Sequence, residues 1–282
     1  MTRRTFRAFL FDMDGVLYRG DRPLPGARDL LADLDRRGIP YAMVTNNTTR
    51  TPRQYVRHLA AMGIRAHARR IVTAAEAAAA YLRKTLPPGS RVLVIGEPAF
   101  RRTIARAGFV PAWDQVAAVV VGLDRRLTYR KLAAAVQALV AGAAFVAANP
   151  DPLLPMPDRV IPGSGAIVAA LQYASGRRAV VVGKPRPLLL REAAARIGAR
   201  PHEAAMVGDQ LSTDMAAGRA AGLFAILVQS GVAGVRPALR RGPRPDLTVR
   251  DLRELRRWLA GRLGPRPGRR GASRASRSRS GA

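Results

Sequence analysis

The sequence predicts an α/β protein built on an open sheet, with a second, smaller α/β unit inserted in it. Three observations carry this. Four short apolar runs each stop in polar, chemistry-bearing residues; stretches of helical period lie between them; and 282 residues suffice for two domains and a large core. In open α/β sheets ligands bind at the carboxyl ends of the strands, where these polar endings fall.

The first run, Phe9-Leu10-Phe11, ends in Asp12-Met13-Asp14-Gly15. Alternate residues of a strand share a face, so Asp12 and Asp14 can point the same way where the strand ends, and Gly15 lets the chain turn beneath them. Two such acids suit a Mg²⁺ ion, a carboxylate nucleophile and a proton carrier; alone, they equally suit a solvated turn. A helix is expected from about Gly26 to Arg37, with Ala27, Leu30, Leu31 and Leu34 on its apolar face and Gly38 closing it.

The second run, Ile39 to Val44, ends in Thr45-Asn46-Asn47-Thr48, a hydroxyl and amides able to hold a phosphate. Thr51-Pro52 starts a helix that Gly63 ends, and Thr73 caps an alanine-rich helix reaching about Leu86. Pro87-Pro88-Gly89 marks a boundary. Beyond it Val92–Ile95, Ala118–Val121 and Ala144–Ala147 are short strands separated by helical stretches, a second α/β unit over roughly Gly89 to Arg178. The third polar-ended run, Ala179–Val182, leads to Gly183-Lys184-Pro185, and the fourth, Ala204–Val207, to Gly208-Asp209 and on to Asp214. A strand near Asp246–Val249 and a helix from Asp251 to Leu259 close the unit.

DMDGVLYRG, TNN, NPD followed by PGSGAIVAAL, GKP and GDQLSTD, in that order, resemble the haloacid dehalogenase (HAD) superfamily over about residues 6 to 260. The set is most similar to the subgroup of NagD-like phosphatases, 4-nitrophenylphosphatases, and phosphoglycolate and pyridoxal-phosphate phosphatases. The resemblance implies a Rossmann-like, doubly wound core over 1–88 and 179–260, and an inserted α/β cap of the C2 type over 89–178. It implies that Asp12 is the nucleophile and Asp14 the general acid and base. Thr45, Asn46 and Lys184 would hold the substrate phosphate. Mg²⁺ would bind to Asp12, Asp209 and the Asp14 carbonyl, with Asp214 supporting them from behind.

The chemistry fits these residue types. A phosphate monoester dianion repels an incoming carboxylate, so a cation and a lysine must neutralise both. Phosphoryl transfer then asks mainly for in-line positioning. Transport ATPases resembling this motif carry threonine at the Asp14 position, so aspartate there points to a phosphatase or mutase. Close relatives often have an acid where this chain has Ser212, which bears on local substrate contacts rather than on the metal. Gly163-Ser164-Gly165 could cradle a phosphate at a helix start, but a tight turn is the preferred reading. His58, His67 and His202 show no ligand spacing and are expected at the surface.

The chain has no cysteine, which excludes disulfides, thiol catalysis and cysteine-bound zinc. No apolar run approaches the ~20 residues of a membrane span, and the N-terminus lacks a signal-like hydrophobic region, so a cytoplasmic location is expected. The net charge of +29, rich in arginine, matches GC-rich coding. Residues 261–282 carry seven arginines and no acid, and read as a disordered basic tail able to bind polyanions weakly. Expected partners are a small phosphate ester and a second copy meeting through the cap. The competing reading is a nucleic-acid-associated protein with a secondary phosphatase core; the low aromatic content, 5%, disfavours it.

Overall fold

The first strand shows how the sequence builds the sheet. β1 (Ala8–Asp12) sends Phe9 and Phe11 to one apolar core and Ala8 and Leu10 to another. A strand apolar on both faces belongs at the centre of a parallel sheet covered on both sides by helices. Each such Phe or Leu contributes about 1.5–3 kcal/mol by leaving water.

The computed structural model describes residues 6–155, 159–230, 242–260 and 262–263. Its further strands are β2 (Tyr18–Arg19), β3 (Arg22–Pro23), β4 (Tyr41–Thr45), β5 (Ile71–Thr73), β6 (Arg91–Ile95), β7 (Val110–Pro111), β8 (Ala118–Val121), β9 (Ala144–Ala147), β10 (Leu153–Pro155), β11 (Val160–Pro162), β12 (Val180–Val181), β13 (Ala204–Gly208), β14 (Phe224–Val228) and β15 (Leu247–Val249). The helices are α1 (Ala27–Arg37), α2 (Pro52–Ala61), α3 (Ala74–Thr85), α4 (Pro98–Arg106), α5 (Tyr129–Val140), α6 (Ser164–Ser175), α7 (Leu188–Arg196), α8 (Ala216–Ala220) and α9 (Leu252–Leu259).

Among the described residues the strands form two parallel sheets and two small hairpins. The larger sheet has the order β15-β14-β13-β1-β4-β5, the second β12-β9-β8-β6-β7. Helices α1, α2 and α9 bury one face of the first sheet, and α5 and α6 bury one face of the second. Between them α3, α4 and α7 form a shared layer: their apolar side chains join the remaining faces of both sheets in one core. The two units are thereby fastened side by side.

Local signals set the helix ends. Thr51 with Gln54, and Thr73 with Glu76, each form a reciprocal capping box at the starts of α2 and α3. Gly38 closes α1 in the left-handed conformation, φ 64°.

Two features depart from expectation. Val180 and Val181, expected to rejoin the first sheet, instead pair with β9 at the edge of the second. The run is too short to cross the layer, and Lys184 reaches the first sheet only through the loop that follows. Also, β14 lies between β13 and β15 without having been anticipated; the Gln229-Ser230 that follows it belongs to none of the motifs read in the sequence. The basic tail falls almost wholly outside the described residues.

Candidate active site

The site is assembled at the carboxyl edge of three neighbouring strands, β13, β1 and β4. Asp12 is the last residue of β1, Thr45 the last of β4, and Asp209 follows the last residue of β13. Gly15 makes this convergence possible. It holds φ +87°, and a Cβ there would lie 2.4 Å from Asp209 Oδ2, so a side chain fails both sterically and conformationally.

Lys184 arrives from the second sheet and donates from Nζ to Asp12 Oδ1 and to Asp214 Oδ1, each at 2.6 Å. Lys184, Asp12, Asp209 and Asp214 are all buried. Asp214 also braces the neighbouring loop. Its Oδ2 accepts the backbone N–H groups of Asp209 and Gln210, both at 3.1 Å, and so fixes the segment carrying Asp209. Gly208 clears its path, since a Cβ there would meet Asp214 Cβ at 2.2 Å.

The electrostatics leave a surplus of negative charge. Oxygens of Asp12, Asp209 and Asp214 lie within 4.8 Å of one another, with the one ammonium of Lys184 among them. Burial, and then Asp214, push the Asp12 carboxyl up to about 7 despite Lys184. Burial works against the Lys184 charge, but Asp12 and Asp214 outweigh it and hold the ammonium above its ordinary value. Hard oxygen donors converging with too little positive charge fit a small divalent cation, which would relieve the surplus. Asp12 and Asp209 are the carboxylates suited to it, because both oxygens of Asp214 are already accepting hydrogen bonds.

Asp14 stands apart, exposed at the mouth of the site. Protein packed around it raises its carboxyl above the usual range, with Arg19, His58 and Arg50 pulling the other way. Asp14 and Asp12 thus differ in environment, which suits the two carboxylates to different roles.

The Thr45 hydroxyl accepts the Asn47 N–H at 3.1 Å and sits against Tyr55, a buried residue of α2. The Asn46 side chain bonds to the Lys184 backbone and to Asp151. Its carboxamide accepts the Lys184 N–H at 2.8 Å and donates to the Lys184 carbonyl at 2.9 Å. Its backbone, rather than its side chain, is what Asn46 can offer a phosphate. Asn47 caps its own turn by accepting from Thr49 at 2.8 Å.

Some neighbours were not legible in advance. Asp151 reaches the Asn46 amide at 3.0 Å although it lies beyond β9 in the second unit. Tyr55 could have been found as the first buried position after the Thr51 cap. His58 is half-buried rather than at the surface: its ring meets Tyr18 edge-to-face at 5.1 Å, and burial followed by Arg50 lowers its pKa. His67 and His202 are exposed, as expected. Gly163 and Gly165 make a tight turn, where a Cβ on either would strike a backbone oxygen at 2.2 Å.

A parallel α/β sheet ending in an Asp-x-Asp pair, a hydroxyl, a lysine and a second acid pair defines a hydrolase with a carboxylate-centred site. The family models agree: residues 9–110 match a haloacid dehalogenase-like hydrolase and residues 181–255 a HAD-hydrolase-like model. An acid sugar phosphatase of Staphylococcus aureus is 35% identical over 252 residues, covering 89% of this chain and 97% of that protein. NagD from Escherichia coli superposes with a TM-score of 0.82 at 32% identity, over 89% of this chain and 98% of its own. A glycerol phosphate phosphatase of Mycobacterium tuberculosis, solved with magnesium, superposes at 0.79 with 38% identity, over 89% and 76%. The chain belongs to the haloacid dehalogenase-like hydrolase family, in its NagD-like group with an inserted α/β cap. It is a phosphoric monoester hydrolase.

Proposed function

We propose that the protein is a Mg²⁺-dependent phosphatase for a small monoester of the sugar phosphate, phosphoglycolate or glycerol phosphate type. It works through an aspartyl phosphate on Asp12. The observation that carries this reading is the buried contact of Lys184 Nζ with Asp12 and Asp214 beside Asp209. The names of the relatives, a sugar phosphatase and a glycerol phosphate phosphatase, support the substrate class.

In this reading an Asp12 oxygen attacks phosphorus and the bond to the leaving alcohol oxygen breaks. Asp14, protonated at the start, gives its proton to that oxygen; its raised pKa favours this. Asp14 then takes a proton from water as that water attacks the phosphoryl group. Inorganic phosphate leaves and the Asp12 carboxylate is restored. The Thr45 hydroxyl and the Asn46 backbone orient the phosphoryl oxygens, and Lys184 offsets charge on nucleophile and phosphate. Asp12, Asp209 and the Asp14 carbonyl would hold Mg²⁺, which when bound neutralises the incoming dianion. Asp214 positions Lys184 and the Asp209 loop.

We take 1–88 with 179–260 as the core and 89–178 as the cap, although β12 (Val180–Val181), just past that boundary, pairs with the cap's sheet. Two copies of a chain of net charge +29 repel one another, and that repulsion is least where the surface is uncharged. The uncharged α6, with Tyr173 95% exposed, supports a homodimer through the cap; light scattering of Tyr173→Arg tests it. No described helix is long and apolar enough to cross a membrane, which is compatible with a cytoplasmic enzyme.

The deciding experiment is phosphate release from a panel of small phosphate esters with and without Mg²⁺. Metal-dependent release from at least one ester is expected. No release from any ester, with any divalent metal, contradicts the reading.

A further inference from the structure

We propose that Asp151 is a positioning residue for Lys184, acting through the Asn46 carboxamide. This rests on the reading above and deepens it.

Asn46 uses every polar atom of its side chain. Oδ1 accepts the Lys184 N–H at 2.8 Å, and Nδ2 donates to the Lys184 carbonyl at 2.9 Å and to the Asp151 carboxylate at 3.0 and 3.3 Å. A carboxamide has two N–H donors, so the set is complete: one for the carbonyl, one for the carboxylate. A flipped amide would set its oxygen against both the Lys184 carbonyl and the Asp151 carboxylate. Asp151 therefore locks the one orientation that clamps the lysine backbone from both sides.

The clamp is held in turn by the cap loop that follows β9. Asn149 Nδ2 donates to the Asn46 carbonyl at 2.7 Å, and Asn149 Oδ1 accepts the Asp151 N–H at 3.1 Å. The Asp151 carbonyl accepts the Gly165 N–H at 2.8 Å, which ties it to the start of α6. Gly183 leaves room for the clamp, since a Cβ there would come 2.6 Å from Asn46 Oδ1.

Lys184 is thus fixed at both ends, its backbone by Asn46 and its Nζ by Asp12 and Asp214. The Asp151 carboxylate, raised in pKa by burial, takes no part in the chemistry proposed above. Its effect on turnover is relayed by Asn46 to the geometry of the lysine. Misplacing a catalytic group by about 1 Å can cost on the order of a hundredfold.

A double-mutant cycle on the full chain tests this, using p-nitrophenyl phosphate as probe with Mg²⁺ and thermal unfolding as a control. Asp151→Ala and Asn46→Ala should each lower kcat at least about tenfold, and the double variant should fall no further than the more impaired single. Asp151→Asn keeps an acceptor for the Asn46 amide and should retain kcat within about threefold of wild type. It also carries the test if the alanine variant fails to fold. Multiplying losses in the double variant, wild-type turnover in Asp151→Ala, or a loss in folded Asp151→Asn as large as in Asp151→Ala would each overturn the proposal. An inactive wild type would instead count against the phosphatase reading.

Discussion

Lys184 Nζ lies 2.6 Å from Asp12 Oδ1, although the two are 172 positions apart and Lys184 follows a strand of the other sheet. This contact joins the two units at the point where the phosphate would be transferred. Removing one partner leaves a buried charge exposed to its like neighbours, which is strongly destabilising in general. Lys184→Met is therefore expected to abolish turnover and also to lower the melting temperature of the metal-free protein. Turnover at wild-type level by Lys184→Met would separate the lysine from the chemistry.

Metal dependence follows from the donor set. Activity should vanish with EDTA and return with Mg²⁺. Ca²⁺ should restore it poorly, because its looser and more variable coordination spoils in-line geometry. Full activity of protein shown to be metal-free would contradict this.

Gly15→Ala probes the close approach of the loop after β1 to Asp209. The left-handed conformation costs a non-glycine residue about 1–2 kcal/mol, and the new Cβ must displace the Asp209 carboxylate. Turnover should fall by at least an order of magnitude while far-ultraviolet circular dichroism stays unchanged. A variant with normal turnover would place the Asp209 carboxylate outside the chemistry.

Glu76 supplies a pH prediction away from the site. Burial raises its pKa above 4.5 despite Arg196, so the folded state prefers the protonated form. Its stabilising contribution is full below the unfolded value and is lost as pH rises through the folded one. Glu76→Gln keeps the capping box of α3 but cannot ionise. Its melting temperature should match wild type near pH 4 and exceed it increasingly as pH rises through the folded pKa of Glu76. A difference that shrinks with rising pH would contradict the sign.

Much of this was legible in the sequence, for a physical reason. Asp12, Thr45 and Asp209 each end a parallel strand, and strand ends are marked by a change from apolar to polar residues that a linear reading can see. The caps at Thr51 and Thr73 are equally local. What depends on tertiary placement was not legible. Val180 and Val181 look like any buried strand, and nothing in them states which sheet they join. Phe224–Val228 is followed by Gln229 and Ser230, polar residues that belong to none of the motifs read in the sequence. Asp151 stands in the NPD run noted in the sequence, but nothing local states that the fold brings it to Asn46, 105 positions earlier.

The basic tail lies beyond the last core helix and carries none of the site residues. Deletion after Leu263 should leave kcat/KM on the best small substrate within about threefold, or ~0.65 kcal/mol. Any affinity for DNA or RNA should fall on truncation, and in the intact chain it should weaken steeply with salt as counterions are released. Salt-resistant, sequence-specific binding would favour a nucleic-acid role instead.

The central claim is that Asp12 forms the covalent intermediate, and one measurement meets it directly: steady-state phosphate release by Asp12→Asn, in parallel with mass spectrometry of Asp14→Asn after exposure to substrate and Mg²⁺. Folded Asp12→Asn should show essentially no turnover. Asp14→Asn should accumulate a phosphoryl adduct on the peptide containing Asp12, because loss of the base slows its hydrolysis. Substantial steady-state hydrolysis by folded Asp12→Asn would contradict the account.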